Sequence, residues 1–305
     1  MIAHSMTDQQ SQHKSQPHNL QCLEVWGGSS SADHAASVPG LDISVCSRPV
    51  DGAELGGDLY LISSCSSGWV CRILLADVSG HGLGVSELST NLRKAMHKSI
   101  GTVDQSKLAR SLNKSFDDIS GGTKFATALL MTYYAPSGHL IFVNAGHPPP
   151  LLRRVGTTSW ESVDQNTEGI LKSPTSELRV GIKNLPLGVI DSTEYEQIAI
   201  KINHGDLICV YTDAFTEAQR EDGTLIGVDG LADVLSKPHV SDSNDVTRAV
   251  LDEFTNQGYQ HAEDDHTMLV LHRNSEGSPK AGLSAITNMI KDSFGMGHTD
   301  TIISA

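Results

Sequence analysis

Between Leu41 and His272 the apolar and polar positions fall into short, regular runs, and outside that span they do not. Eight runs predict strands: DLYLIS, WVCRILLADV, KFATALLMTYYA, HLIFVNAG, PPLLRRV, EQIAIKI, DLICVYT and HTMLVLH. Turn residues separate them; in APSGH, Pro136 and Gly138 punctuate a hairpin. Two helical stretches follow the second run. Val85, Leu88, Leu92, Ala95 and Met96 recur at steps of three and four, which puts one apolar stripe on a helix of about five turns. Asp104 is placed to cap the next helix. Leu108, Leu112, Phe116 and Ile119 form its stripe, and Gly121-Gly122 stops it. Both stripes read as core facing a sheet. A further helix is predicted over about 243–257, with Val246, Ala249, Val250 and Phe254 inward. Strands and helices therefore come in blocks and not in strict βαβ alternation, which favours an α+β layered domain over a doubly wound parallel sheet.

Composition sets the flanks. Residues 1–38 are rich in Ser, Gln, His and Asp, with only QCLEVW apolar, and are expected to form a flexible polar tail. Residues 39–274 form the expected domain. Residues 275–305 read as a linker, NSEGSPKAGLSA, followed by a marginal helix in AITNMIKDSF. Within the domain, residues 156–184 are polar and expected to be mobile between strands.

Charge and cysteines narrow the partners. Against 36 Asp and Glu stand 22 Lys and Arg, a net charge of −14. Nucleic acid and anionic membrane surfaces both reward clustered basic residues, so neither is an expected partner. No apolar run reaches the length of a signal peptide or of a membrane span, which points to a cytoplasmic protein. Cys22, Cys46, Cys65, Cys71 and Cys209 form no CxxC pair and read as reduced thiols.

The chemistry lies in the carboxylates at the ends of runs. Asp58 lies in GAELGGDLYLI, Asp77 ends a run in ILLADVSGHGLG, Asp213 ends another in LICVYTDAFTEA, and Asp264-Asp265 open the last in EDDHTMLVLH. An Asp at a buried strand end is costly to leave charged and unpaired, so several that converge need cations, hydrogen bonds or protonation. Mg²⁺ and Mn²⁺ are hard ions that take carboxylate, carbonyl and water oxygens, so a two-metal site is one reading. Each Asp alone would equally suit a turn or helix cap. Three glycines in DVSGHGLG let the backbone turn tightly toward an ion or phosphate. GxxxxGK[ST], GxGxxG and GxSxG are all absent, which leaves nucleotide binding and an α/β-hydrolase unsupported.

In this order, GGDLY, LLADVSGHG, FATALLMTYYAPSGHLIFVNAGHPPPLL, LPLGV, GDLICVYTDAFTEA and EDDHTMLVL resemble the bacterial SpoIIE-like branch of the PPM (PP2C-type) metal-dependent protein serine/threonine phosphatases. The resemblance spans about Leu41 to His272. It implies a four-layer αββα sandwich of two antiparallel sheets flanked by helices. It also implies two Mn²⁺ or Mg²⁺ ions about 3.5–4 Å apart, which lower the pKa of a water that attacks phosphoserine or phosphothreonine in line. Asp58, Asp77, the Val78 carbonyl, Asp213 and Asp264 match the ligands, with Asp77 bridging both ions. Asp265 stands where relatives carry Asp or Asn and supports the ligands from behind. His81, four residues after Asp77, is placed to protonate the leaving serine oxygen or to start a helix as a polar cap. His147 falls where the eukaryotic branch has an Asp linked to a third ion, beside the ligands or as a loop residue next to three prolines. His266 enters a strand as a structural residue.

Two positions depart from the pattern. Leu61 replaces the acidic residue that often ends GD-x-Y-D, and Ala214 replaces the Gly that usually follows Asp213. They leave open a second reading, a catalytically weak phosphatase-like module that sequesters a phosphoprotein. The resemblance implies a small phosphorylated protein partner of the STAS or anti-sigma-factor antagonist type, and it places regulatory movement in the two helices after DVSGHG.

Overall fold

A computed structural model describes residues 17–21, 24–50, 53–65, 69–80, 83–99, 102, 104–172, 182–241, 246–260 and 263–275. The first strands are β1 (His18–Asn19), β2 (Val25–Gly28), β3 (Ala32–Val38), β4 (Leu41–Arg48), β5 (Leu59–Cys65) and β6 (Val70–Val78). Two helices follow, α1 (Leu83–Ser99) and α2 (Gln105–Ser120). Next come β7 (Ala126–Tyr134), β8 (His139–Ala145), β9 (Leu151–Arg153), β10 (Glu161–Ser162), β11 (Leu171–Lys172), β12 (Gln197–Lys201) and β13 (Leu207–Tyr211). Helices α3 (Gly227–Leu235), α4 (Pro238–Ser241) and α5 (Val246–Asn256) precede the last strand, β14 (His266–His272).

The strands form two seven-stranded sheets. One runs β1-β3-β4-β14-β13-β9-β10, the other β11-β12-β8-β7-β6-β5-β2. Every pairing is antiparallel except the two-residue contact of β1 with β3.

Alternation along the strands explains the layering. In β6, Cys71, Ile73 and Leu75 face the other sheet, while Leu74, Ala76 and Val78 face α1 and α2. In β13, Ile208 and Val210 face inward, and Cys209 and Tyr211 pack under α3 and α5. Central strands are thus covered on both faces and read as continuous apolar runs. The result is the expected αββα sandwich. Leu108, Leu112 and Phe116 of α2 are buried as their spacing predicts, but Ile119, in the last turn, is 43% exposed. The caps also form: the Asp104 carboxylate accepts from the Lys107 backbone N–H (3.0 Å), and Gly121 ends the helix at φ 61°.

Three expectations change. Residues 18–38 are not a free tail, because β1, β2 and β3 all lie there, and the sandwich begins about twenty residues earlier than the composition suggests. These edge strands bury small side chains, Ala32, Ala36 and Val38, and the Trp26 ring packs edge-on to Tyr60 at 5.9 Å. Small residues among polar ones carry a weak apolar signal, so backbone pairing does the work that burial does elsewhere. Residues 1–16 and the expected C-terminal helix, in 276–305, lie outside the described residues. The 156–184 segment contributes β10 and β11 to the sheet edges and buries Trp160, whose Nε1–H donates to the Leu235 carbonyl (3.2 Å); its residues 173–181 lie outside the described set. Helices α3 and α4 were not foreseen.

No helix among the described residues is long and apolar enough to cross a membrane.

Candidate active site

Antiparallel pairing brings four chain segments to one end of the sandwich. Asp58 immediately precedes β5, and Asp77 is the penultimate residue of β6, which pairs with β5 through Ala76 and Leu59. In the facing sheet, Asp213 opens a 3₁₀ turn just past β13, and Asp264-Asp265 lead into β14. Side-chain hydrogen bonds stitch the two sheets together here. The Thr212 hydroxyl donates to Asp58 Oδ2 (2.9 Å) and accepts from the Thr267 N–H (3.0 Å). Asp265 Oδ2 accepts from the N–H groups of Gly57 (2.5 Å) and Asp58 (3.3 Å), and its Oδ1 accepts from Val50 (2.7 Å). Asp265 therefore holds the segment that carries Asp58. Asp264, exposed, accepts from the Asp265 N–H (2.8 Å).

Glycine makes this closeness possible. A Cβ on Gly56 would lie 2.5 Å from Asp265 Oδ2, and one on Gly57 would lie 2.9 Å from the Val78 carbonyl oxygen and 3.0 Å from Val85 Cγ1. The first two contacts are shorter than real side chains allow, and the third is tight.

The electrostatics record the convergence. Burial, then the Asp77 and Asp265 carboxylates, push Asp58 well above the usual carboxylate range, against hydrogen bonds from Thr267 and Thr212. Asp77 is pushed up to about 7 by burial and by Asp213, Asp264, Asp265 and Glu217. Asp213 rises to about 6 through burial and its neighbours Glu217 and Asp264. Glu217, which sequence reasoning missed, joins the cluster because the turn after β13 folds it back: its N–H bonds the Asp213 carbonyl (2.8 Å). The TDAFTEA segment carried it, four residues after Asp213, where one helical turn returns to the same side.

Other candidates fall elsewhere. His81 lies outside the described residues. His147 is buried, its Nδ1 sits 2.9 Å from the Thr127 hydroxyl, and Thr127 is the cross-strand partner of Asp77. Burial holds its imidazole neutral, down at about 3, and no carboxylate of the cluster figures among the causes. It props the strand beside Asp77 and does not join the acidic group. His266 packs edge-on against Phe215 at 5.4 Å. Leu61 is buried under the helices on β5, so an acid there would enter a core. Ala214 is buried, and its backbone stays outside the left-handed region, where no glycine is required.

The donor chemistry fits a hard divalent ion: carboxylates, with the Val78 carbonyl close by. Among the described residues no three His, Cys, Asp or Glu side chains converge tightly enough to hold an ion unaided.

Stacked antiparallel sheets between helical layers, with carboxylates gathered at one end, define the fold of PP2C-type phosphatases. The PP2C phosphatase domain of the cell fate determinant SpoIIE from Bacillus subtilis superposes with a TM-score of 0.60, at 16% identity over 82% of this chain and 71% of that one. The RsbU and RsbW domains of Rv1364c from Mycobacterium tuberculosis give 0.64 at 22% identity, over 87% and 72%. RsbX, solved in complex with magnesium, gives 0.54 at 13% identity, over 79% and 98%. The family model for Stage II sporulation protein E (SpoIIE) matches residues 67–274, and the chain belongs to that family. In sequence it is 24% identical over 234 residues to the phosphoserine phosphatase RsbU of Bacillus subtilis (strain 168), covering 76% of this chain and 63% of that protein's length.

Proposed function

We propose that this chain is a metal-dependent protein serine/threonine phosphatase that acts on a small regulatory phosphoprotein of the STAS or anti-sigma-factor antagonist type. The observation that carries the reading is the gathering of Asp58, Asp77, Asp213 and Asp264 from four segments at one end of a PP2C fold, with Asp77 raised to about 7 by burial and by its acidic neighbours. Family membership and the likeness to a phosphoserine phosphatase support it.

In this reading Asp58, Asp77, Asp213, Asp264 and the Val78 carbonyl hold Mn²⁺ or Mg²⁺ ions. When bound, two such ions supply an activated water and the positive charge that admits a phosphate dianion. The chain's own residues do the positioning. Asp265 fixes the loop before β5, Thr212 orients the Asp58 carboxylate, and the tight Gly56-Gly57 backbone lets the two sheets close on each other. His81 would protonate the leaving oxygen. Leu61 and Ala214 leave this arrangement intact, so they lend no weight to a catalytically weak binding module.

Hydrolysis of p-nitrophenyl phosphate with and without Mn²⁺, then of phosphorylated STAS proteins, tests the proposal. Metal-stimulated turnover that disappears in Asp77→Asn is expected. Absence of metal-stimulated turnover, or activity that survives that substitution, overturns it.

A further inference from the structure

Lys124 lies two residues before β7, against the turn that follows Asp77 and Val78. Its Nζ donates to the Ser79 carbonyl oxygen at 3.0 Å. The neighbouring Phe125 backbone brackets the same residue: its N–H donates to Ser79 Oγ (3.2 Å), and its carbonyl accepts from the Ser79 N–H (2.9 Å). Gly80 makes room for the ammonium. At φ 92° it has no side chain, and a Cβ there would lie 2.6 Å from Lys124 Nζ. The lysine is therefore seated on the turn that leads out of the acidic cluster, half-buried and held in place.

Among the described residues no carboxylate pairs with Lys124. An ammonium offers three donors, and the Ser79 carbonyl takes one. Arg48, near the same end of β4, is already committed to the Ala32 and Ser47 carbonyls and to Asp33. A fixed cation with spare donors, seated on the turn that leaves Asp77 and Val78, has the chemistry to receive a phosphate oxygen.

We propose that Lys124 binds the phosphate group of the substrate, making it the protein's own source of positive charge at the site. This rests on the phosphatase reading above. Lysine acts on phosphate as a point charge, so a cation of different shape can substitute for it, but a neutral side chain of similar length cannot.

The test compares the full chain with Lys124→Gln, Lys124→Met and Lys124→Arg, using p-nitrophenyl phosphate with Mn²⁺ and inorganic phosphate as a competitive inhibitor. The shift in melting temperature caused by inorganic phosphate gives a readout independent of turnover. For both neutral variants a roughly 10-fold or greater rise in KM and in the phosphate inhibition constant is expected, with Lys124→Arg within about 3-fold of the parent. The phosphate-induced thermal shift should shrink in the neutral variants and persist in Lys124→Arg. An unchanged phosphate inhibition constant in both neutral variants overturns the proposal. So does an arginine variant as weak as the neutral ones, since that outcome assigns Lys124 to holding the turn. A parent chain without metal-stimulated turnover overturns the phosphatase reading itself, whereas an active parent matched by its neutral variants overturns the Lys124 assignment alone.

Discussion

Asp77→Asn should make the metal-free protein more stable while removing its activity. In the folded chain Asp77 releases its proton at about 7, against 3.8 for an ordinary aspartate. Between those values the folded chain holds more protons than the unfolded one, so stability falls as pH rises from about 4 to about 7 and stays low above it. At 1.36 kcal/mol for each tenfold change in proton affinity, that displacement amounts to about 4 kcal/mol. The displacement comes first from burial and then from repulsion shared with Asp213, Asp264, Asp265 and Glu217, and the side chain retains some contact with water. Neutralising one member should therefore recover about half, roughly 2 kcal/mol. The amide keeps the shape of the carboxylate and leaves the fold intact. Urea denaturation in the presence of EDTA at pH 5 and pH 8 measures the effect. The parent should be less stable at pH 8 than at pH 5, and the advantage of Asp77→Asn should be largest at pH 8 and shrink at pH 5. Adding Mn²⁺ should stabilise the parent at pH 8 and the variant far less, because a ligand that binds only the folded state stabilises it by mass action. If Asp77→Asn is no more stable than the parent at pH 8 in EDTA, or if the parent gains stability from pH 5 to pH 8, the reasoning fails.

Other consequences follow from named contacts. Asp265→Ala orphans the buried N–H groups of Gly57 and Asp58 and the half-buried one of Val50, and urea unfolding should show a loss of about 2–4 kcal/mol, lessened by the repulsion it relieves. Gly57→Ala drives a methyl into the Val78 carbonyl and Val85, and should cost about 1–3 kcal/mol together with much of kcat. Phe116→Ala, on the sheet-facing side of α2 and against Gly188, should cost about 3–5 kcal/mol, read from the urea midpoint. Cys71 and Cys209 are fully buried, and burial pushes the Cys209 thiol up, so mass spectrometry should find both unmodified by a thiol reagent until urea unfolds the chain.

How much of this was legible in the sequence depended on side-chain size. The central strands announce themselves because residues such as Ile73, Leu74 and Leu75 are buried on both faces in turn. The α2 stripe and its caps are local, so Asp104 and Gly121 could be placed from spacing alone. By contrast, β3 buries two alanines and one valine, and β4 alternates Leu41, Ile43 and Val45 with polar residues on its open face, so both strands passed as loop or tail. The carboxylates could be picked out as strand-end acids, but their meeting depended on register across two sheets, which no local pattern encodes. Glu217 and Lys124 were missed for that reason: each matters through what lies across a turn from it, and neither stands out in sequence.

Both sheets end in short strands. β1 and β10 close one and β11 closes one side of the other, each two residues long, and β2 ends the remaining side with Gly27-Gly28. Among the described residues each outermost strand offers only two to four backbone positions, so a chain added to one gains a short ladder and templated strand addition there has little to build on. A protein that must meet other proteins repeatedly can therefore do so through loops and helices, without its sheets becoming adhesive.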